Sequence, residues 1–194
     1  MKKSIFTIVC LCIMVSIPLS AFDKGTKTIG GTVSFNVSKT FKDSPSHYLL
    51  EITPQVGYFV VDSLCVDLGV SFSSSWEEGK DAYPSFGIGI GARYFYKKFY
   101  AGAHFTYYGS KSYTTFVIDE IDQSVHPVTS WMWWKDLTFK VGRLFGISKN
   151  IYLDLGMYYN IGLGKIVIEA DSSLNLNNEM KNFGTIAGIA IFFK

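Results

Sequence analysis

The sequence predicts an all-β fold, an eight-stranded antiparallel up-and-down transmembrane β-barrel. Three observations predict it. Apolar and polar residues alternate with period two through eight segments, glycine fills much of the polar parity, and short connections alternate strictly with long ones. Composition agrees with this. The 194 residues are 48% hydrophobic and 18% charged. Beyond the N-terminal segment, no apolar run approaches the ~20 residues that a spanning helix needs. Low charge argues against a disordered chain, and a formal charge of +2 without a basic block argues against a nucleic-acid binder held by phosphate contacts.

The N-terminal segment comes first. Met1-Lys2-Lys3 is positive, Ile5 to Ile17 is apolar, and Pro18-Leu19-Ser20-Ala21 is a small-residue exit. Residues 1–21 therefore read as a cleavable secretory signal, leaving 22–194 as the barrel domain. Lys2 and Lys3 leave with it, so 18 basic residues fall to 16 against 16 acidic ones and the mature chain is formally neutral. Cys10 and Cys12 leave as well. Cys65 alone remains, which excludes an intramolecular disulfide.

Each strand shows its own alternation. Ile29, Gly31, Val33, Phe35 and Val37 oppose Gly30, Thr32, Ser34, Asn36 and Ser38. Tyr48, Leu50, Ile52, Pro54, Val56, Tyr58 and Val60 oppose Glu51, Thr53, Gln55 and Gly57. Leu64, Val66, Leu68, Val70 and Phe72 oppose Asp67, Gly69, Ser71 and Ser73. Phe86, Ile88, Ile90, Ala92, Tyr94 and Tyr96 oppose Gly87, Gly89, Gly91 and Arg93. Phe99, Ala101, Ala103, Phe105 and Tyr107 oppose Gly102, His104 and Thr106. Trp133, Leu137, Phe139 and Val141 oppose Asp136, Thr138, Lys140 and Gly142, with Lys135 interrupting the apolar parity. Ile151, Leu153, Leu155, Met157, Tyr159 and Ile161 oppose Asp154, Gly156, Tyr158 and Asn160. Phe183, Ala187, Ile189, Ile191 and Phe193 oppose Gly184, Gly188 and Ala190.

Glycine decides which face meets water. Twelve of the 18 glycines lie on the polar parity: Gly30, Gly57, Gly69, Gly87, Gly89, Gly91, Gly102, Gly142, Gly156, Gly162, Gly184 and Gly188. On an open surface they would only weaken the strands, whereas in a narrow lumen they make room for side chains converging from eight strands. The polar face is therefore the inside and the apolar face meets lipid. A closed barrel leaves no unpaired backbone edge in hydrocarbon.

Connection lengths agree. Val61-Asp62-Ser63, Lys97-Lys98 and Gly146 through Asn150 are short, while Thr40–Ser46, Trp76–Tyr83, Gly109–Ser130 and Gly164–Asn182 are long. Aromatics mark both rims. Tyr48, Trp76, Tyr83, Tyr107, Trp131, Trp133 and Trp134 lie near the long loops, and Tyr58, Tyr94, Tyr96, Phe99, Phe145 and Phe193 near the short turns. Lys135 lies near the upper belt, where its ammonium can snorkel.

With its signal segment, alternating strands, alternating loop lengths and the ending Gly188-Ile189-Ala190-Ile191-Phe192-Phe193-Lys194, the chain resembles the small OmpA/OmpX-type outer-membrane β-barrel family. The resemblance implies an outer-membrane location in a Gram-negative-type envelope, with both termini periplasmic. It also implies that Gly188, Ile191 and Phe193 act as a C-terminal signal for the barrel-assembly machinery, with Lys194 departing from the usual terminal aromatic. No peptidoglycan-binding domain is expected after the barrel.

Charged residues of the inner parity are the candidate functional residues. Counted from the short turns, Asp67, Arg93 and Asp154 fall low, His104 and Lys140 near the middle, and Glu51 and Asp136 higher. One reading is a satisfied lumen network, since buried charges need partners. The other is a gate or selectivity site. Arg93 is expected to pair with Asp67 and plug the lower lumen. Some small outer-membrane barrels are lipid-modifying enzymes, which makes His104, Thr106 and His126 worth examining, although no serine or carboxylate spacing fixes a partner for His104. Cys65 reads as a small lumen residue. The two longest connections are mixed enough to extend as hairpins and meet an external ligand. The expected protein is a monomer without cofactor or metal, contacting outer-membrane lipid and no nucleic acid. Its role is structural or surface-interactive, with a small porin as the alternative.

Overall fold

The computed structural model describes residues 22–38, 46–77, 82–117, 125–169, 174–177 and 181–194, with side chains described outside 112–130 and 165–180. The described strands are β1 (Lys27–Ser38), β2 (His47–Val61), β3 (Leu64–Glu77), β4 (Tyr83–Tyr96), β5 (Phe99–Val117), β6 (Val125–Gly146), β7 (Ile151–Glu169), β8 (Leu174–Asn177) and β9 (Lys181–Phe193). Neighbours pair antiparallel in chain order from β1 to β7, β7 pairs with β9, and β9 returns to β1. Eight strands thus close a ring. The short β8 lies outside it, paired with the upper end of β7 from Lys165↔Asn177 to Ile168↔Leu174.

All eight alternating runs lie within ring strands. The short turns close where expected, at Asp62-Ser63, Lys97-Lys98 and Ile147–Asn150. Ser63 (φ 66°) and Lys97 (φ 56°) take the left-handed conformation that lets a two-residue link reverse the chain.

The two longest connections carry paired strand, as the expected hairpins require. Gly109–Ser130 is mostly strand, since β5 and β6 stay paired from Lys111↔Trp131 to Val117↔Val125. Gly164–Asn182 likewise holds the top of β7 and all of β8. Above the lipid both faces of a hairpin meet water, so the apolar alternation that marks a spanning strand is no longer required.

Side-chain direction follows the predicted parity. Thr28, Thr32, Ser34, Thr53, Asp67, Ser71 and Thr106 are buried inside, whereas Ile29, Ile52, Leu68, Ile88 and Ile90 are half exposed outside. A contiguous belt of this kind is costly in water and is satisfied by lipid. Lys135 also faces outward, exposed beside Tyr107. Glycine makes the inner packing possible. A Cβ on Gly89 or Gly91 would enter the His104 ring, one on Gly102 would stand 2.7 Å from Arg93 Cγ, and one on Gly184 would stand 2.7 Å from the Tyr158 ring.

The upper aromatic belt forms two clusters. Tyr48 stacks on Trp76 at 5.5 Å, and Tyr107, Trp133 and Trp131 stack in succession with Phe86 edge-on to both indoles. Tyr83 and Trp134 share the height of this belt but not its face. Both line the inner mouth, with Trp134 stacked on Tyr108 at 5.3 Å.

Candidate functional site: a stratified lumen

The barrel interior is built in levels. At the bottom, the inner parity ends on large apolar residues beside each short turn and at the end of β9: Phe59, Phe95, Tyr100, Leu144, Tyr152 and Phe192. Phe22 completes this layer. Its ring stacks on Phe192 at 4.1 Å, nearly parallel, and lies 5.2 Å from Phe59 and 5.4 Å from Phe95. Each such aromatic pair adds about 1 kcal/mol beyond area burial.

Residues 22–26 are strapped across the lower mouth. The Ser63 N–H donates to the Phe22 carbonyl at 2.9 Å, Gly25 N–H to Phe59, and Phe59 N–H to Thr26. The Lys24 N–H donates to Asp62 Oδ1 at 2.7 Å. Lys194 Nζ donates to Asp23 Oδ2 at 2.6 Å, and that carboxylate raises the pKa of the exposed ammonium. Lys98 Nζ lies 5.4 Å from the centre of the Phe22 ring and donates to Tyr152 at 3.0 Å.

Above the stopper lies an ion-pair layer. Arg93 forks onto Asp67, with Nε to Oδ2 at 2.8 Å and Nη2 to Oδ1 at 2.7 Å. Its Nη1 lies 3.8 Å from Asp154, which accepts from Tyr100 at 2.8 Å. The guanidinium carbon is 5.4 Å from the centres of both the Phe95 and Tyr100 rings. Planar forks of this kind match carboxylates in two bonds and stack on rings, which lysine does not reproduce.

Cys65 is fully buried here, its thiol 3.4 Å from Asp67 Oδ1. A maleimide should therefore leave the folded protein unlabelled and modify it only after denaturation. Rapid labelling of folded protein, followed by mass spectrometry, would contradict the sealed lower lumen.

The middle level is polar. A cavity of about 40 Å³ is lined by His104, Lys140, Glu51 and hydroxyls including Thr53, Ser71 and Thr138, and it has room and partners for water. His104 Nδ1 lies 3.1 Å from the Thr106 hydroxyl, and its Nε2 has no partner within the protein among the described residues. The top level is an open cup of about 570 Å³, whose floor carries Glu51 and Asp136. Glu51 accepts from the Tyr108 hydroxyl at 2.9 Å, and Asp136 from Asn160 Nδ2 at 3.0 Å.

All seven candidate charged or imidazole residues thus face the lumen. Arg93, Asp67 and Asp154 come together, whereas among the described residues Lys140 forms no ion pair with Glu51. His104 meets a threonine hydroxyl rather than a carboxylate, so no acid-oriented base forms there. The side chain of His126 and the signal segment 1–21 lie outside the described residues. Gly188 faces inward, in register with Thr32 and Asp154, and Ile191 and Phe193 face outward. The aromatic stopper is absent from the sequence reading. Its signal is nonetheless present, because Phe59 and Phe95 share parity with Gly57 and Arg93.

No protein-family model matches the chain, and no curated protein matches it in sequence. Solved structures do match in fold. The crystal structure of Neisserial surface protein A is similar with a TM-score of 0.58 at 15% identity, covering 88% of this chain and 98% of that one. The outer membrane protein OprG from Pseudomonas aeruginosa is similar with a TM-score of 0.51 at 12% identity, covering 89% and 98%. At such identities the likeness concerns architecture. Together with the closed ring and its apolar exterior, it shows that the chain has the fold of the small eight-stranded outer-membrane β-barrels.

Proposed function

We propose that the protein is a non-enzymatic outer-membrane barrel with a closed lumen, acting as a structural or surface-interacting scaffold. The carrying observation is the double seal below the cup. The Arg93–Asp67 layer rests on the aromatic stopper, in which Phe59 and Phe95 have no exposed surface. A small barrel filled by side chains presents its ends rather than a pore. The β5–β6 hairpin and the β7–β8 pair then stand on the outer side as candidate contacts for an external ligand, and the short turns and both termini lie on the periplasmic side. Outer-membrane lipid covers the apolar belt. Gly188, Ile191 and Phe193 are proposed to serve recognition by the barrel-assembly machinery, and the chain is proposed to work as a monomer.

Planar-bilayer recording of refolded protein tests this reading. Silent insertion is the expected result, with insertion verified by the heat-dependent gel mobility of a folded barrel. Steady single-channel conductance in wild type would replace the scaffold with a small porin, for which the cup would be the vestibule.

A further inference from the structure

The cup above the seal has a definite chemistry. Among the described residues its inward ionised groups are carboxylates, Glu51 and Asp136, and its inner wall carries the rings of Tyr83, Tyr108, Trp134 and Tyr158 beside the His47 imidazole. Lys181 also borders the cup, but on β9 it has the outward parity and is exposed. Lys140 lies on the cavity below. Glu51 accepts only from neutral hydroxyls, those of Thr53 and Tyr108, among the described residues. Tyr108 fixes Glu51, Asn160 fixes Asp136, and Trp134 is stacked on Tyr108 in register with it. Asp136 follows Trp134 at the next inward position of β6, so both acids border one aromatic pair.

We propose that this cup is a binding site for a small organic cation, a quaternary or primary ammonium compound. The charged head lies over the Tyr108 and Trp134 rings and between the two carboxylates, and the apolar body lies against Tyr83 and Tyr158. Ring faces attract ammonium groups through their quadrupole, and carboxylates in a recess partly shielded from water strengthen the attraction. A cup of about 570 Å³ is in the size range of small-molecule sites. The Tyr108 hydroxyl orients Glu51 without cancelling its charge, which leaves the recess complementary to a cation. The proposal goes beyond the scaffold reading and holds whether or not the lumen conducts.

Choline chloride is the probe, titrated into folded protein in detergent and followed by the N-methyl proton resonance. 3,3-Dimethyl-1-butanol, of the same shape with carbon in place of the charged nitrogen, is the comparison. Choline should give a saturable upfield shift from the ring currents, and the alcohol should not. Glu51→Gln should weaken choline binding about tenfold, and Trp134→Leu should remove the upfield displacement. Asp23→Asn, at the opposite mouth, should leave binding unchanged. Heat-modifiable gel mobility establishes that each variant is folded. Absence of saturation, equal binding of the alcohol, or full choline affinity in folded Glu51→Gln would overturn the site. Conductance recorded on the same preparation reports separately on the closed lumen.

Discussion

Replacing Arg93 with alanine is expected to destabilise the folded barrel by about 3–5 kcal/mol, the usual cost of leaving one partner of a buried ion pair behind. Asp67 is 2% exposed and receives two bonds from Arg93, so no water replaces them readily. Loss of the guanidinium also strips a cation from over Phe95 and Tyr100. Urea unfolding in lipid vesicles, followed by tryptophan fluorescence, measures the change. The double substitution Arg93→Met with Asp67→Asn should recover part of the loss, because it removes the stranded Asp67 charge while Asp154 keeps its bond from Tyr100. A single-variant loss below about 1 kcal/mol would mean that the layer is hydrated, contrary to the closed lumen.

Ile90→Arg is the second substitution with a large expected effect. Ile90 lies midway between Phe86 and Tyr94 on the outer face of β4 and is 56% exposed to whatever surrounds the barrel. In a lipid belt an arginine there should cost about 2–4 kcal/mol, whereas Tyr96→Arg at the lower rim should cost about 0–1 kcal/mol. The same unfolding assay in vesicles compares the two. Equal costs at both depths would mean that the outward belt does not face hydrocarbon.

The ring is legible because lipid enforces alternation. Runs such as Phe86–Tyr96 on β4 and Ile151–Ile161 on β7 carry an apolar side chain at every second position, and that requirement ends where the strand leaves the bilayer. The upper parts of β5 and β6 therefore read as a loop although they pair through Val117↔Val125. Trp134 belongs to the upper belt by height, but it shares parity with Asp136 and Thr138 and so points inward. The charged candidates are legible one by one as inner residues. Their contacts depend on shear and register, which alternation does not report: Arg93 reaches Asp67 because Cys65 pairs with Arg93 and Asp67 pairs with Gly91, leaving a diagonal open over a glycine. Phe22 has no pattern to reveal it, since it precedes the first alternating run and acts through a contact with the last strand.

That contact links the segment before β1 to the last strand in time as well as space. Phe22 stacks on Phe192, and Asp23 bonds Lys194 across a sequence separation of 171 residues. Contacts of such long range form late, because the loop they close holds every strand of the ring. The socket itself needs Phe192, so it exists only once β9 has been synthesised and has met β1. Ring closure and sealing are therefore one terminal step of folding. A half-assembled barrel leaves Phe59 and Phe95 uncovered and residues 22–26 unstrapped, and the finished one hides these rings.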